Sequence, residues 1–447
     1  MAALSIRKLI RHGLGAVAIR FISAALGFAL IFVMARWMLT DEFGYFGYGF
    51  SLAMTLSMFL DLGQRRLILR SLAAYRQRGR TDLMRGVLRF SILATFVGAL
   101  AGALVVAIGA FAFEAHPSLY PTAVLTAAMI LSDYQANLLR GLGNLYGSLL
   151  PREVVWRPLA IGVMAILGGG MTLVLSAEEA LWILAICLLA LSLVQLALVV
   201  RPNWEKVCAK IASQEKTDPE PDETLAQAKT AWWRSSGSLW LVSALVAGLV
   251  PASVVIVGWF VSPAETGAFF AAVRIATIIA FPLQGLNLLT SPMLASAYAS
   301  GDKDRLQQVA NFAAVASSAA ALAGFVLLGL FGSQLLGLMD PAFVTSASTQ
   351  LVIMAGFLIA ALCGSSGQLM NMTGHDKEFM FILLVTNSVG IAALIAMSAT
   401  MGGYGAAWAL LAIKACWNVA VVLWARRYIQ IDPSIAALVF PPAKAAT

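Results

Sequence analysis

The chain has 447 residues, of which 60% are hydrophobic and 12% are charged, and its mean hydropathy is +0.85. A soluble globular protein carries about 25% charged and about 45–50% apolar residues, so the composition excludes that class. The formal net charge of +8 follows the orientation of the chain in a membrane, as described below, and predicts no nucleic-acid partner.

Apolar runs of about twenty residues recur along the chain, and each is long enough to cross the hydrocarbon layer as a helix. Lipid forces the backbone to form its hydrogen bonds internally, and the alternating strands of a membrane barrel are absent. We therefore predict an all-α polytopic membrane protein with about twelve transmembrane helices. The predicted spans are 13–36, 43–66, 87–112, 120–140, 155–175, 180–200, 236–261, 266–298, 308–337, 343–370, 379–400 and 404–425.

The basic residues predict the orientation of these spans. Nearly all Lys and Arg fall in every second loop, most densely in 65–89 and 201–234, whereas the short intervening turns carry acids such as Asp41, Glu42 and Glu265. Because basic loops stay in the cytoplasm, both termini are predicted to be cytoplasmic.

The two halves of the chain resemble each other. "RWMLTDEFGYFGY" near the second span matches "GWFVSPAETGAFFAA" near the eighth, and later cytoplasmic turns match in the same order. This predicts a parallel repeat, which usually frames a central cavity open alternately to either side. The predicted domains are 1–200 (N-terminal lobe, spans 1–6), 201–234 (cytoplasmic linker), 235–428 (C-terminal lobe, spans 7–12) and 429–447 (cytoplasmic tail).

Three cations lie inside predicted spans: Arg20 in the first, Arg274 in the eighth and Lys414 in the twelfth. A charge at the centre of a membrane helix costs about 2.5–3.5 kcal/mol on insertion scales, and such residues usually face a cavity or a partner. At helical spacing, each cation shares its face with small or polar residues. That composition suits a water-filled cavity or close helix packing.

Three segments carry a resemblance to a known family. They are "ARWMLTDEFGYFGYGFSLAMTLSMFLDLGQRRLILRSLA", "LLRGLGNLYGSLLPREVVWRP" and "VGWFVSPAETGAFFAAVRIATIIAFPLQGLNLLTSPMLASAYASGDKDRL". In this order they resemble the polysaccharide transporter branch of the multidrug/oligosaccharidyl-lipid/polysaccharide flippase superfamily. The resemblance implies a V-shaped bundle that flips undecaprenyl-diphosphate-linked oligosaccharides across the bacterial inner membrane by alternating access, coupled to an ion or to the membrane potential. One departure is Ser253, which stands where members often have an acid, so no ion-coupling role is carried to it.

The resemblance also suggests roles for the cations. Related lipid II flippases have cavity arginines in the first and eighth spans, and Arg20 and Arg274 match them as diphosphate-binding candidates. A guanidinium suits this role because it binds phosphate oxygens bidentately and stays charged. Lys414 could bind phosphate or sugar, or serve coupling, because a desolvated lysine can lose its proton. In the alternative reading, Asp61 and Asp133 form ion pairs with Arg20 or serve coupling.

Two further groups of residues are singled out. The first is an arginine cluster at the inner end of the second span, which could anchor anionic lipid headgroups or capture the diphosphate first: Arg65, Arg66 and Arg70. The second is a set of prolines, which remove backbone hydrogen bonds and could act as hinges: Pro251, Pro282 and Pro292.

Other functions are less consistent with the residues. A cation-coupled drug or metabolite antiporter of the same superfamily should show acids deep in its spans, and a major facilitator should show a basic inner-loop motif that is missing. A polymerase or ligase would need a large outer loop, so we predict no enzyme. A non-transporting membrane scaffold, the remaining alternative, would not need the three cations.

The four Cys and three His show no metal-type spacing, so no metal or cofactor is expected. The expected partners are the lipid-linked oligosaccharide, anionic membrane lipids and polysaccharide polymerases or glycosyltransferases.

Overall fold

The computed structural model describes residues 2–167, 174–212 and 225–440, and within these ranges the regular structure is helical. The helices of the first half are α1 (Ala2–Trp37), α2 (Thr40–Phe59), α3 (Gln64–Gln77), α4 (Thr81–Ala112), α5 (Leu119–Gly141), α6 (Leu145–Leu149), α7 (Trp156–Leu167), α8 (Ala177–Gln195) and α9 (Arg201–Ala212). Those of the second half are α10 (Leu225–Ala247), α11 (Leu249–Val257), α12 (Pro263–Ala276), α13 (Phe281–Ala299), α14 (Lys303–Met339), α15 (Ala347–Leu362), α16 (Ser366–Met372) and α17 (Asp376–Tyr428).

The predicted all-α membrane fold is confirmed, and each of the twelve predicted ranges contains helix. Six of the described helices are long and apolar enough to cross a membrane, or seven if α2 and α3, bent by 44°, form one broken span. The predicted turn between the last two spans is a break inside α17, where Gly402 leaves the helical conformation at φ 58° and ψ −143°. The acidic middle of the predicted linker and the end of the predicted tail lie outside the described residues.

The chain packs into two compact units. One, the continuous unit, comprises Trp37–Ala252; the other, the split unit, combines the described residues up to Arg36 with those from Ser253 onward. The helix α1 therefore packs with the later spans, and α10 packs with the earlier ones. The two packed units therefore differ from the two predicted lobes in the placement of α1 and α10.

In the continuous unit, α10 is fixed by contacts with α2 and α3. The Trp232 indole donates a hydrogen bond of 2.9 Å to the Tyr75 hydroxyl, and Trp240 donates to the Phe59 carbonyl oxygen at 2.5 Å. Gly63 adopts φ 75° directly against the Ser236 carbonyl, where a side chain would collide. Because only glycine fits that conformation without strain, α10 can approach the bend between α2 and α3 closely.

In the split unit, α15 packs against α12, α14 and α17. The first described part of the predicted tail also belongs to this unit, because Asp432 is fully buried and ties it to its neighbours. Asp432 pairs with Arg426, accepts from the Ser434 hydroxyl at 2.7 Å, and exchanges backbone bonds of 2.7 and 2.9 Å with the Gln307 amide. Residues 429–440 are therefore folded against the start of α14 and the end of α17.

Candidate functional site

Arg274 stands at the end of the regular part of α12. The helix begins at the Ser262 cap, whose hydroxyl accepts from the Glu265 amide at 3.3 Å, and its residues from Thr266 to Val273 are buried. Arg274 is the half-buried exception, and its guanidinium carbon lies 4.9 Å from the centre of the Phe270 ring. An arginine over an aromatic face is held by the ring quadrupole while its fork remains able to donate hydrogen bonds.

The helix changes character directly after Arg274. Thr277–Ala280 form a 3-10 turn, and Pro282 follows in the first turn of α13. Proline donates no backbone hydrogen bond, so the α-helical ladder is interrupted here. This irregularity lies directly before Pro282, one of the three hinge candidates. That Pro282 acts as a hinge stays a prediction.

The other two hinge candidates occupy different surroundings. Pro251 is buried in the first turn of α11, just after the interruption at Gly248, which separates α10 from α11. Pro292 is exposed inside α13. A break in regular structure therefore accompanies Pro251 and Pro282, whereas Pro292 is accommodated within a described helix.

Lys414 lies on the last span, in the part of α17 beyond the break. Its ammonium nitrogen is 4.2 Å from the centre of the Phe357 ring on α15. Gly356 permits this approach, because a Cβ there would meet the Leu411 backbone at 3.0 Å. Among the described residues, no carboxylate lies within 4.0 Å of the Lys414 ammonium. Lys414 is thus a half-buried cation with an aromatic neighbour and no described acidic one.

Arg274 and Lys414 lie on two helices of the split unit whose first turns are in contact. The Glu265 carboxylate contacts the Gly403 amide, so these two residues mark a common level from which α12 and the last span start. Both helices pack against α15. The fold therefore brings two of the three predicted cations into one unit, on helices that both have α15 as a neighbour.

Arg20 belongs to the same unit through α1, although its side chain lies outside the described part of the structure. The adjacent Phe21 lines a small cleft together with Phe281, Gln284 and Gly285 of α13. Phe281 and Gln284 follow Arg274 by seven and ten residues, the spacing at which residues share one face of a helix. The helix that carries Arg20 thus contacts the segment that follows Arg274.

The acids of the split unit are confined to helix ends. The ranges 2–36, 266–301, 305–339, 341–375 and 379–431 contain no Asp or Glu at all. Arg20, Arg274 and Lys414 all fall inside these acid-free ranges. The span interiors of this unit consequently carry a net positive formal charge, which attracts anions. The acid-free ranges can be read from the sequence. That all three cations belong to one unit follows only from the packing of α1 with the later spans.

The acids of the continuous unit behave differently, because both predicted candidates are engaged by arginines. Asp61 pairs with Arg65 and accepts from the Gly63 amide at 2.7 Å. Asp133 on α5 pairs with Arg152 and lies 3.3 Å from Arg65. The two carboxylates therefore belong to one network with Arg65 and Arg152, which Glu153 extends at 3.6 Å from Arg152.

Arg152 reaches this network from an irregular segment, the π-helix Leu150–Val155, in which Pro151 interrupts the regular ladder. Arg65 is held inside the unit, with 17% of its side chain exposed. The described acidic partners of its guanidinium are Asp61 and Asp133, and its contact with headgroups or substrate stays a prediction. Arg66 and Arg70 are exposed on α3, and the same prediction stays with them.

Comparison with known proteins identifies the fold. A family model described as MatE matches residues 239–396, roughly a third of the chain. No curated protein matches the sequence. An inward-facing multidrug resistance MATE family transporter of the MOP superfamily aligns with 96% of this chain and 100% of its own, at 16% identity and a TM-score of 0.66. An outward-facing multidrug resistance MATE family transporter of the MOP superfamily aligns with 94% of this chain and 95% of its own, at 14% identity and a TM-score of 0.62.

A third structure, that of a point mutant of the Vibrio cholerae MATE transporter VcmN, aligns over 96% of this chain and 98% of its own, at 15% identity and a TM-score of 0.59. The chain has the MATE transporter fold. At these identities the likeness concerns the path of the chain through the membrane and carries no ligand with it. Within this MATE fold, the segment matched by the family model includes Arg274 but neither Arg20 nor Lys414.

Proposed function

We propose that this protein is an alternating-access transporter that moves an undecaprenyl-diphosphate-linked oligosaccharide from the cytoplasmic to the outer leaflet of the bacterial inner membrane. The observation that carries the proposal is the charge of the split unit. Arg20, Arg274 and Lys414 lie within its spans, and the acid-free ranges around them contain no Asp or Glu. Such a set favours an anionic substrate.

A lipid-linked diphosphate has the chemistry that these cations suit. Its phosphate oxygens must pass the apolar layer, where an uncompensated charge is costly. The guanidinium of Arg274 offers paired donors to phosphate, and the Lys414 ammonium adds a compact charge in the same unit. The aromatic rings of Phe270 and Phe357 support both cations in the absence of the ligand.

The proposal includes an orientation and a location. The basic inner loops support cytoplasmic N- and C-termini, and the substrate class places the protein with the enzymes that assemble and polymerise surface polysaccharide. Exposed Arg66 and Arg70 at the predicted inner end of α3 suit anionic lipid headgroups.

A second candidate is a cation-coupled drug antiporter. It is favoured by the MatE family match and by the similarity in fold to multidrug resistance MATE family transporters. Such a protein would need acidic groups available to a cationic substrate. In the described structure Asp61 and Asp133 pair with arginines, so the antiporter is the weaker candidate.

The test uses cells that lack this protein and produce the corresponding polysaccharide. We expect lipid-linked oligosaccharide to accumulate on the inner leaflet and to be cleared when the wild-type protein is restored. Arg20→Ala, Arg274→Ala and Lys414→Ala should be expressed but fail to clear it. Arg305→Ala removes an exposed cation of the same unit and serves as the matched control.

Each other outcome has a defined meaning. If the lipid pool does not change when the protein is absent, the proposed substrate is wrong. If, in addition, the cells become sensitive to cationic drugs, the antiporter replaces the flippase. If all three variants clear the pool like Arg305→Ala, the transport function stands and the assignment of the cations is wrong.

A further inference from the structure

A glutamate of the continuous unit connects two helices that are far apart in sequence. Glu42 lies in the first turn of α2, and its carboxylate accepts a hydrogen bond of 2.6 Å from the backbone amide of Ala177, the first residue of α8. The start of α8 already has its own capping box, formed by Ser176 and Glu179. Local capping therefore does not require Glu42, and its bond ties α2 to α8.

A glutamate of the split unit makes the corresponding contact. Glu265 lies in the first turn of α12, and its carboxylate accepts a long hydrogen bond of 3.4 Å from the Gly403 amide, where the last span begins. The preceding Gly402 has φ 58°, and a Cβ at this position would lie 2.5 Å from the Glu265 oxygen. The glycine therefore leaves room for the carboxylate at the break in α17.

The two contacts occupy equivalent places in the predicted repeat. Both glutamates stand in the pattern Glu-x-Gly, as "EFG" at 42–44 and "ETG" at 265–267. The helices α2 and α12 begin the second and eighth spans, whereas Ala177 and Gly403 begin the sixth and twelfth. Each pair is thus six spans from its counterpart, and the same bond recurs in each unit.

The physical effect of such a bond is to fix the relative height of two helices. The first amides of a helix have no partner within it and carry partial positive charge, so a carboxylate there is stabilising. Most caps come from the residue just before the helix. A cap from another helix holds the two helices at one level, because sliding either would break it.

We propose that Glu42 and Glu265 are repeat-related clasps, by which we mean side chains that cap the start of a second helix and hold it level with their own. We further propose that Glu265 is a positioning residue for the anion site. This role rests on the proposed function, because Glu265 holds the helix of Arg274 level with the span of Lys414. Without the bond, α12 can slide against the last span, which changes the spacing between the two cations. Glu42 keeps α2 and α8 level in the other unit.

The clasps themselves are tested by hydrogen exchange of the protein in lipid nanodiscs. Glu265→Ala should speed exchange of the amides at the start of the last span, and Glu42→Ala should do so at the start of α8. The Glu→Gln variants should retain protection, because the amide oxygen accepts the same bond. Asp41→Ala, which removes the exposed acid next to Glu42, is the control. Unchanged exchange in both alanine variants would overturn the clasps.

The positioning role is tested by binding of undecaprenyl diphosphate to the purified protein. Glu265→Ala should weaken binding about five- to tenfold, Glu265→Gln should restore it, and Glu265→Ala should add nothing in an Arg274→Ala background. Additive effects of the two substitutions would overturn the positioning role. If the wild type does not bind the lipid, both the proposed function and the positioning role are wrong. The hydrogen-exchange result still decides whether the clasps exist.

Discussion

Asp133→Asn is expected to lower the free energy of unfolding by about 3–5 kcal/mol, the usual cost of breaking a buried ion pair from one side. The Asp133 side chain is only 7% exposed and interacts with both Arg65 and Arg152. An asparagine removes the carboxylate that Arg65 and Arg152 share, which leaves Asp61 as the partner of Arg65 and Glu153 as the partner of Arg152. Unfolding of the purified protein in detergent, followed by temperature and by denaturant, measures the loss.

Asp82→Asn provides the matched control within the same unit. Asp82 pairs with Arg80, but 61% of its side chain is exposed, and exposed pairs contribute about 0–1 kcal/mol. A second variant separates charge from packing: Asp133→Leu combined with Arg152→Met removes a complete pair, so it should recover part of the loss. Equal stability of Asp133→Asn and Asp82→Asn would contradict the network described here.

Lys414→Met is expected to weaken binding of undecaprenyl diphosphate by about 2–5 kcal/mol, which is thirtyfold or more, because it removes a half-buried charge from the proposed anion site. Methionine keeps the length of the side chain and its contact with Phe357, so the helix packing should survive. Binding to the purified protein is measured with undecaprenyl diphosphate and, for comparison, with undecaprenyl monophosphate. The loss should be larger for the diphosphate.

Arg305→Met is the control, since it removes an exposed cation from the same unit. Lys414→Glu should bind even less, because it places the sole acid within the long acid-free range 379–431. Equal affinities of wild type and Lys414→Met for the diphosphate would remove Lys414 from the proposed site.

Hydropathy was sufficient to predict the helices, and the positions of glycine and proline were sufficient to predict two of their interruptions. The break at Gly402 falls in the predicted turn between 379–400 and 404–425, and the 3-10 turn falls just ahead of Pro282. Both follow from local chemistry, since glycine permits unusual backbone angles and proline removes a donor. The helices and these interruptions depend on the length, apolarity, glycines and prolines of a single segment. They can therefore be predicted from that segment without knowledge of its neighbours.

The neighbours of each helix could not be predicted in the same way. Hydropathy does not distinguish α1 from α10, yet α1 packs with the later spans and α10 with the earlier ones. Similarly, Asp61 and Asp133 were recognisable as buried acids, but their pairing with Arg65 and Arg152 depends on the bend after α2 and on a π-helix. The pattern Glu-x-Gly was visible in both halves, whereas its partners 135 and 138 residues away were not.

The most direct test of the proposed function is transport by the purified protein in proteoliposomes that contain an undecaprenyl-diphosphate-linked oligosaccharide. The lipid is loaded in one leaflet, and its appearance in the other is followed with a sugar-modifying enzyme that cannot cross the membrane. We predict that the wild type moves the lipid and that Arg274→Ala and Lys414→Met do not. A wild-type protein that leaves the lipid in place while extruding a cationic drug from the same vesicles would contradict the flippase and establish the antiporter.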